Sequence, residues 1–174
     1  GDSFYAVNEA LRVEVPPERE LNRLEPESAR RDDAPRLKVF VSYSHDDYRD
    51  CDQMKLRLAR LANEGLVSYW HDGQIRAGED WDRVIRRELE DADVVVLLMS
   101  EEFFRSRYID GVEVATARGR QQRGEADILP VLLEDCEGFR NHAWLKQLQT
   151  VPSVTGRLRP VRRFTPKETA WDSV

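Results

Sequence analysis

Glu113 is the residue whose surroundings most need a chemical explanation. It falls between Ile109 and Ala117 in the i±4 row of a predicted helix, on the less polar face. No Lys or Arg lies three or four positions away, so the carboxylate has no local ion-pair partner. The unbroken apolar run Val94–Met99 precedes this helix and predicts a strand buried on both faces. A carboxylate that has no local ion-pair partner and lies just past the end of such a strand is a candidate catalytic residue.

The elements that would position Glu113 follow from alternating strand and helix patterns along residues 36–174. These predict a flavodoxin-like α/β fold, with a five-stranded parallel sheet of order 2-1-3-4-5 and helices on both faces. The predicted strands cover residues 37–43, 66–70, 94–99, 128–133 and 160–164. One helix is expected after the third strand, and a last helix is expected with Pro166 at its first position. Residues 1–35 carry few large apolar side chains, which predicts an N-terminal arm or linker, or the end of a preceding domain.

Two acids compete for the catalytic role, and the predicted topology separates them. Glu88 also lies on an apolar helical face, beside Val84 and without a close cation, so composition alone does not decide. In doubly wound sheets, ligands bind at the carboxyl ends of the strands where the strand order reverses. Here that point is the crevice between strands 1 and 3. The helix after strand 3 carries Glu113, whereas Glu88 follows strand 2, away from the crevice.

Hydroxyl groups also fall at the predicted crevice. Strand 1 ends at Tyr43 and Ser44, and strand 3 ends at Ser100. Serine hydroxyls and loop amides in such places can bind a phosphate or a ribose. The alternative is structural, because both serines also stand where they would cap the following helices. The sequence leaves both interpretations open.

Several common sites are missing from the sequence. No GxGxxG or GxxxxGK[ST] pattern follows strand 1, which argues against the usual dinucleotide and triphosphate loops. A phosphate-accepting receiver domain would end strand 3 in Asp, where this chain has Ser100. No metal site is expected, because no metal-ligand spacing relates His45, His71, His142, Cys51 and Cys136.

Composition narrows the class of partner. A formal net charge of −6 over 174 residues argues against nucleic acid as the primary partner. No apolar run approaches the roughly 18–20 residues that span a bilayer, so no membrane segment is expected. The two cysteines form no CxxC pair and are interpreted as reduced thiols, which predicts a cytoplasmic protein.

Four stretches, taken in order, resemble the successive boxes of a Toll/interleukin-1 receptor (TIR) domain in its bacterial form. They are KVFVSYSHDD, WHDGQIRAGEDWDRVI, VLLMSEEFFRSRYIDGVEVA and ILPVLLEDC. The resemblance covers about residues 36–174. It implies two alternative uses. Many TIR domains cleave NAD⁺, releasing nicotinamide and giving ADP-ribose or a cyclic isomer, whereas others are non-catalytic scaffolds that assemble with like domains in signalling.

In the NAD-cleaving members a glutamate in the helix after strand 3 is essential, and the matching residue is Glu113. Plant and animal enzymes commonly carry Trp four residues before it, whereas here the nearest aromatic is Tyr108, five before. Cleavage passes through an oxocarbenium-like transition state with a positively charged leaving group, so no general acid is required. The carboxylate could hold the ribose hydroxyls, stabilise developing positive charge or attack the anomeric carbon.

The resemblance also implies what surrounds the glutamate. NAD⁺ is the substrate rather than a cofactor, and its binding residues are expected among Tyr43, Ser44, Asp72, Trp81, Ser100 and Tyr108. Loop 71–80 carries contacts between neighbouring subunits in the family, so Asp72 and Arg76 are alternatively solvated or self-associating. Trp81 is either core or a cover of the pocket that stacks on a base, and Tyr108 fits packing better than chemistry. We expect the effector module of a bacterial immune or antiphage protein, activated by self-association through loop 71–80.

Overall fold

A parallel sheet of four strands in the order β2-β1-β3-β4 forms the centre of the fold. The computed structural model describes residues 36–75, 80–106 and 113–174. The strands are β1 (Leu37–Ser42), β2 (Val67–Trp70), β3 (Val94–Met99) and β4 (Asp127–Leu132). The apolar run of β3 is buried at five of its six positions, because β1 and β4 flank it and helices cover both faces of the sheet. The flavodoxin-like strand order is confirmed for these four strands.

Helices flank the sheet on both sides. They are α1 (Tyr48–Asn63), α2 (Trp81–Asp91), α3 (Glu101–Arg105), α4 (Glu113–Gln122) and α5 (Glu137–Asn141). Short 3₁₀ helices lie at His45–Asp47, Asp72–Gln74, Leu145–Gln147, Val161–Arg163 and Lys167–Ser173. Amphipathic spacing explains why the long helices pack: in α1 the buried positions recur every three to four residues, at Cys51, Met54, Leu58 and Ala62.

The sheet separates two apolar clusters. One face packs α1 and the C-terminal 3₁₀ helix, through residues such as Met54 and Trp171. The other face packs α2, α3 and α4, through Leu89, Phe103 and Ala117. Cys51 and Cys136 are both free and buried, and they belong to different clusters.

The predicted fifth strand at residues 160–164 is wrong. That segment contains the 3₁₀ helix Val161–Arg163, because its apolar residues Val161 and Phe164 have the i, i+3 spacing of a tight helical turn. A single parallel bridge, Val131 to Val151, lies beside β4 instead. The amide of Leu132 donates to the Val151 carbonyl at 2.8 Å, and the Val151 amide donates to the Pro130 carbonyl at 3.0 Å. A small antiparallel hairpin follows, formed by β5 (Ser153–Val154) and β6 (Arg157–Leu158).

Two helix predictions also need correction. The single helix expected after β3 is interrupted, because α3 ends at Arg105 and Ser106 takes an extended conformation. The described part of the next helix, α4, starts at Glu113. The last helix is of the 3₁₀ type and follows Pro166, whose ring precludes donating a backbone hydrogen bond.

The chain divides into two units, Gly1–Asp32 and Asp33–Val174. All described residues belong to the second unit, so the predicted arm at residues 1–35 lies outside them. Within the described ranges, no helix has both the length and the apolar character needed to cross a membrane.

Candidate functional site

A pocket of about 280 Å³ opens at the carboxyl end of β1. The loop after β2 and the start of α2 form one side of it, and Ser106 and Glu113 lie on its lining as well. The lining residues are Phe40, Val41, Ser42, Tyr43, Ser44, His45, Asp46, Trp70, Asp72, Trp81, Ile85, Ser106 and Glu113. The position agrees with the general rule for ligand sites in doubly wound sheets.

Glu113 is the most deeply placed acid of this pocket, with only 8% of its surface exposed. The hydroxyl of Ser42 donates a hydrogen bond of 2.8 Å to its Oε2 atom. Burial raises the pKa of Glu113, the Ser42 hydrogen bond lowers it, and the negative charge of Asp72 raises it, with a net upward shift. No Lys or Arg of the described ranges forms an ion pair with Glu113. A desolvated carboxylate held by one hydroxyl can still accept further hydrogen bonds or meet a positive charge.

Sequence reasoning missed Ser42. It is the last residue of β1, it is buried, and its side chain bridges β1 to α4 across 71 positions of sequence. A small hydroxyl residue closing an otherwise apolar strand, VFVS, was the available signal. Nothing local to the sequence indicates which acid that hydroxyl contacts, because the contact depends on the tertiary fold.

Tyr43 and Ser44 both line the pocket, as predicted for the end of strand 1. Ser44 also has the capping role of the alternative interpretation, since its Oγ accepts the amide of Asp46 at 3.4 Å. Tyr43 is partly buried against the α1 face. Burial, followed by the nearby Cys51 and Asp72, raises the pKa of Tyr43, so its phenol stays protonated and able to donate.

Ser100 does not line the pocket. Its side chain is completely buried, and its Oγ donates to Asp47 Oδ2 at 2.5 Å while accepting the Phe103 amide at 3.0 Å. Both contacts fit the capping interpretation, in which the hydroxyl starts α3 and ties it to the turn after β1. Contact between Ser100 and a substrate stays a prediction that this geometry does not favour.

Behind Ser100 lies a charged cluster that joins three loops, and sequence reasoning missed it too. Arg162 contacts Asp47 at 2.5 Å, Asp50 at 2.9 Å and Glu134 at 2.6 Å. Burial opposes the charge of Arg162, but its three carboxylate partners raise its pKa overall. Asp47 belongs to the turn that directly follows the pocket-lining residues. Through its contact with Asp47, the cluster therefore anchors this edge of the pocket.

Asp72, one of the residues expected to bind NAD⁺, lines the pocket, and the alternative expectation of a solvated side chain is wrong. Only 12% of its side chain is exposed, and its Oδ2 lies 3.2 Å from His45 Nε2. Its Oδ1 is buried and has no hydrogen-bond partner among the described residues. His71, the residue before it, accepts the Gly73 amide at 3.2 Å and so shapes the turn that presents Asp72.

Aromatic rings form the apolar wall of the pocket. Trp81, the first residue of α2, lines it and also packs against the core, so both alternatives for this residue describe its position. Trp70 was not predicted as a site residue. It lines the pocket at the end of β2 and stacks on Phe40, with ring centroids 5.1 Å apart and planes inclined by 20°.

One of the remaining expectations, about Glu88, is wrong, and two others concern residues that the structure does not describe. The absence of a close cation near Glu88 is wrong, because Arg87 Nη2 lies 2.7 Å from Glu88 Oε1. Glu88 is not among the pocket-lining residues, although the helix that carries it, α2, borders the pocket through Trp81 and Ile85. Tyr108 and Arg76 lie outside the described residues, as does part of loop 71–80.

A parallel α/β fold with an acid-lined pocket beside the switch in strand order matches the expected class, and comparison with known proteins identifies it. A family model for the TIR domain matches residues 39–159, and the chain belongs to that family. An uncharacterized protein of Sinorhizobium fredii (strain NBRC 101917 / NGR234), y4lF, is 38% identical over 114 residues. That match covers 66% of this chain and 35% of the relative, so the chain spans about a third of the relative's length.

Among solved structures, the TIR domain of the Toll-related receptor TRR-2 from Hydra magnipapillata is similar, with a TM-score of 0.46 and 17% identity. The match covers 65% of this chain and 81% of that chain.

Proposed function

We propose that this TIR domain is an NAD⁺ glycohydrolase, which breaks the bond between nicotinamide and ribose. The observation that carries the proposal is the burial of Glu113 in a pocket where, among the residues that the structure describes, one hydroxyl holds it and no cation pairs with it. A buried acid that served only the fold would be expected to have a cation or several hydrogen-bond donors, since an incompletely satisfied carboxylate costs stability. A role of Glu113 in cleavage would explain why the protein retains a carboxylate that costs stability.

The proposed chemistry needs little from the protein beyond one carboxylate. Nicotinamide leaves as a neutral molecule from a positively charged pyridinium, so no proton has to be supplied to it. As the bond breaks, positive charge develops on the ribose, and the ionised Glu113 is placed to stabilise it or to hold the ribose hydroxyls. Water then completes hydrolysis to ADP-ribose, or an internal nucleophile of the substrate gives a cyclic isomer.

The size and lining of the pocket favour the nicotinamide–ribose end of the substrate. A volume of about 280 Å³ lies at the lower end of the range for small-ligand sites, so it suits part of a dinucleotide rather than all of it. Trp70 and Trp81 offer aromatic surfaces for a flat ring. The pocket lining contains no Lys or Arg within the described ranges, so the diphosphate is expected to lie outside the pocket.

Self-association through loop 71–80 is the second part of the proposal. Asp72–Gln74, at the start of this loop, forms a 3₁₀ turn beside the pocket, and its Gly73 and Gln74 are exposed. A neighbouring TIR domain bound there would lie next to the open side of the pocket. We further propose, from family membership alone, that the domain is the effector module of a bacterial immune or antiphage protein.

The test is release of nicotinamide from NAD⁺ by the full chain, under crowding that drives self-association, with Glu113→Ala as the background. The proposal expects steady release by the wild-type protein and none above background by the variant. If the assembled wild type is as inert as the variant, the domain is a scaffold that only binds other TIR domains, and the glycohydrolase proposal is wrong.

A further inference from the structure

Among the described residues, little positive charge lies close enough to Asp72 to balance the negative charge of its carboxylate. Its sole described ionic partner is His45, whose side chain is 79% exposed and therefore well screened by solvent. Its other oxygen, Oδ1, is the buried side-chain atom that lacks a hydrogen-bond partner among the described residues. An uncompensated carboxylate that is mostly withdrawn from water creates a strong negative potential in its surroundings.

The same pocket contains a second acid of this kind. Glu113 is buried, and its pKa is raised by that burial and, to a smaller extent, by the charge of Asp72. The other charged or titratable groups on the lining are Tyr43, whose phenol stays neutral, exposed Asp46 and exposed His45. Three carboxylates thus line an aromatic cavity, two of them, Asp72 and Glu113, largely withdrawn from solvent, and the lining has neither Lys nor Arg in the described ranges.

We propose that Asp72 is a specificity-determining residue, which together with Glu113 makes the pocket selective for a positively charged aromatic ring over a neutral ring of the same shape. This inference rests on the proposed function. It adds that the pocket recognises one particular feature of the substrate, the positive charge of the pyridinium. Low local dielectric strengthens the attraction between the ring and the two acids, and the indoles of Trp70 and Trp81 add cation–π attraction.

His45 acts as a positioning residue in this arrangement. Its Nε2 atom lies 3.2 Å from Asp72 Oδ2 and is the described contact that restrains this carboxylate oxygen. Tyr43 lies close enough to Asp72 for the carboxylate to contribute, after burial and Cys51, to the raised pKa of its phenol, although no hydrogen bond of standard geometry joins them. Truncating His45 should therefore weaken selectivity without abolishing it.

The experiment compares equilibrium binding of 1-methylnicotinamide, which is cationic, with that of nicotinamide, which is neutral. Quenching of tryptophan fluorescence in the full chain reports binding, since two indoles line the pocket. The wild type is expected to bind the cation at least about tenfold more tightly, and Asp72→Asn to reduce that preference to about threefold or less. His45→Ala should give an intermediate preference.

Asp91→Asn is the matched control, because it removes an equal charge from an exposed residue at the far end of α2. It should retain the wild-type preference. Thermal unfolding of each variant separates loss of selectivity from loss of folding, and any unfolded variant is replaced by Asp72→Ser. Equal binding of both compounds by the wild type, no binding of either, or a full preference in the folded Asp72 variant overturns the inference. Binding does not require turnover, so failure of NAD⁺ cleavage with intact selectivity would contradict the proposed function alone.

Discussion

The hydrogen bond from Ser42 connects Glu113 to the sheet and partly offsets the effect of burial on the pKa of this acid. The Ser42 hydroxyl favours the ionised form, whereas burial and Asp72 oppose it, and the balance leaves the pKa of Glu113 raised. If the ionised form is required for cleavage, the rate should fall as pH is lowered through a range above that of an ordinary glutamate.

Ser42→Ala should move this acidic limb to still higher pH, because the variant loses the contact that lowers the pKa of Glu113. We expect a several-fold lower rate at mildly acidic pH and a smaller loss at alkaline pH. The measurement is the pH dependence of kcat/KM for nicotinamide release. Ser68→Ala, at an exposed position of β2, is the control. An acidic limb at the same pH in Ser42→Ala and wild type would show that this bond does not tune Glu113.

The raised pKa also has a consequence for stability. Because the folded-state pKa of Glu113 exceeds its unfolded value, protonation favours folding. That contribution is complete below the unfolded pKa and is lost as pH rises through the folded pKa. Above its folded-state pKa, Glu113 is therefore a desolvated charge that costs the native protein stability.

Glu113→Gln should remove this cost while still accepting the Ser42 hydrogen bond. We expect the free energy of unfolding to rise by about 1 kcal/mol at neutral pH. The gain should shrink as pH falls towards the ordinary range of a glutamate, where the wild-type carboxyl becomes protonated in both states. Urea unfolding at several pH values measures it, and a gain independent of pH would contradict the assigned cause.

At the scale of elements, the cluster around Arg162 joins the turn after β1, the end of β4 and the 3₁₀ helix Val161–Arg163. Asp47 is 3% exposed at its side chain, so it depends on Arg162 and on the Ser100 hydroxyl for its polar contacts. Arg162 itself is 30% exposed, which moderates the effect of losing it.

Arg162→Ala should lower the free energy of unfolding by about 2 kcal/mol, because it leaves buried Asp47 without its cation. Arg163→Ala is the matched control, since Arg163 pairs with Asp135 on the surface. It should cost less than about 0.5 kcal/mol. Chemical denaturation of both variants tests the difference, and equal losses would mean that the cluster does not hold these loops together.

Structural features that depend on a local sequence pattern could be predicted from the sequence, whereas features that depend on contacts between distant residues could not. β3 and the strand order around it were predictable, because an unbroken apolar run and regular alternation of elements have few other solutions. The segment after residue 159 was not, since Val161 and Phe164 look like a short strand until their spacing is matched to a 3₁₀ turn. Glu113 could be found from helical periodicity. Ser42 and Arg162 could not, because their partners are distant in sequence and are brought close only by folding.

For the molecule as a whole, the pocket is too small and too acidic to account for a complete dinucleotide site. The described part of loop 71–80 lies beside the pocket opening, so an associated copy is proposed to cover the remainder of the substrate. Cleavage per chain should then increase with protein concentration rather than stay constant.

Gln74→Arg should reduce self-association and nicotinamide release together, because it adds bulk and charge to an exposed turn of this loop. Gln122→Arg makes the same change on exposed α4 surface and should leave both unaltered. Light scattering and product release, followed in the same samples, provide the measurement. Loss of release without loss of assembly in Gln74→Arg would separate the loop from the proposed interface.

Glu113 is proposed to perform the cleavage, and comparing the effects of two substitutions on the rate tests this role. Glu113→Gln and Glu88→Gln neutralise acids on two neighbouring helices, and only Glu113 lines the pocket. Measured at equal assembly, the rate of nicotinamide release should fall at least about a hundredfold for Glu113→Gln, as expected for removal of a charge that acts in the transition state. It should change less than about twofold for Glu88→Gln. Comparable rates for Glu113→Gln and wild type would contradict the account.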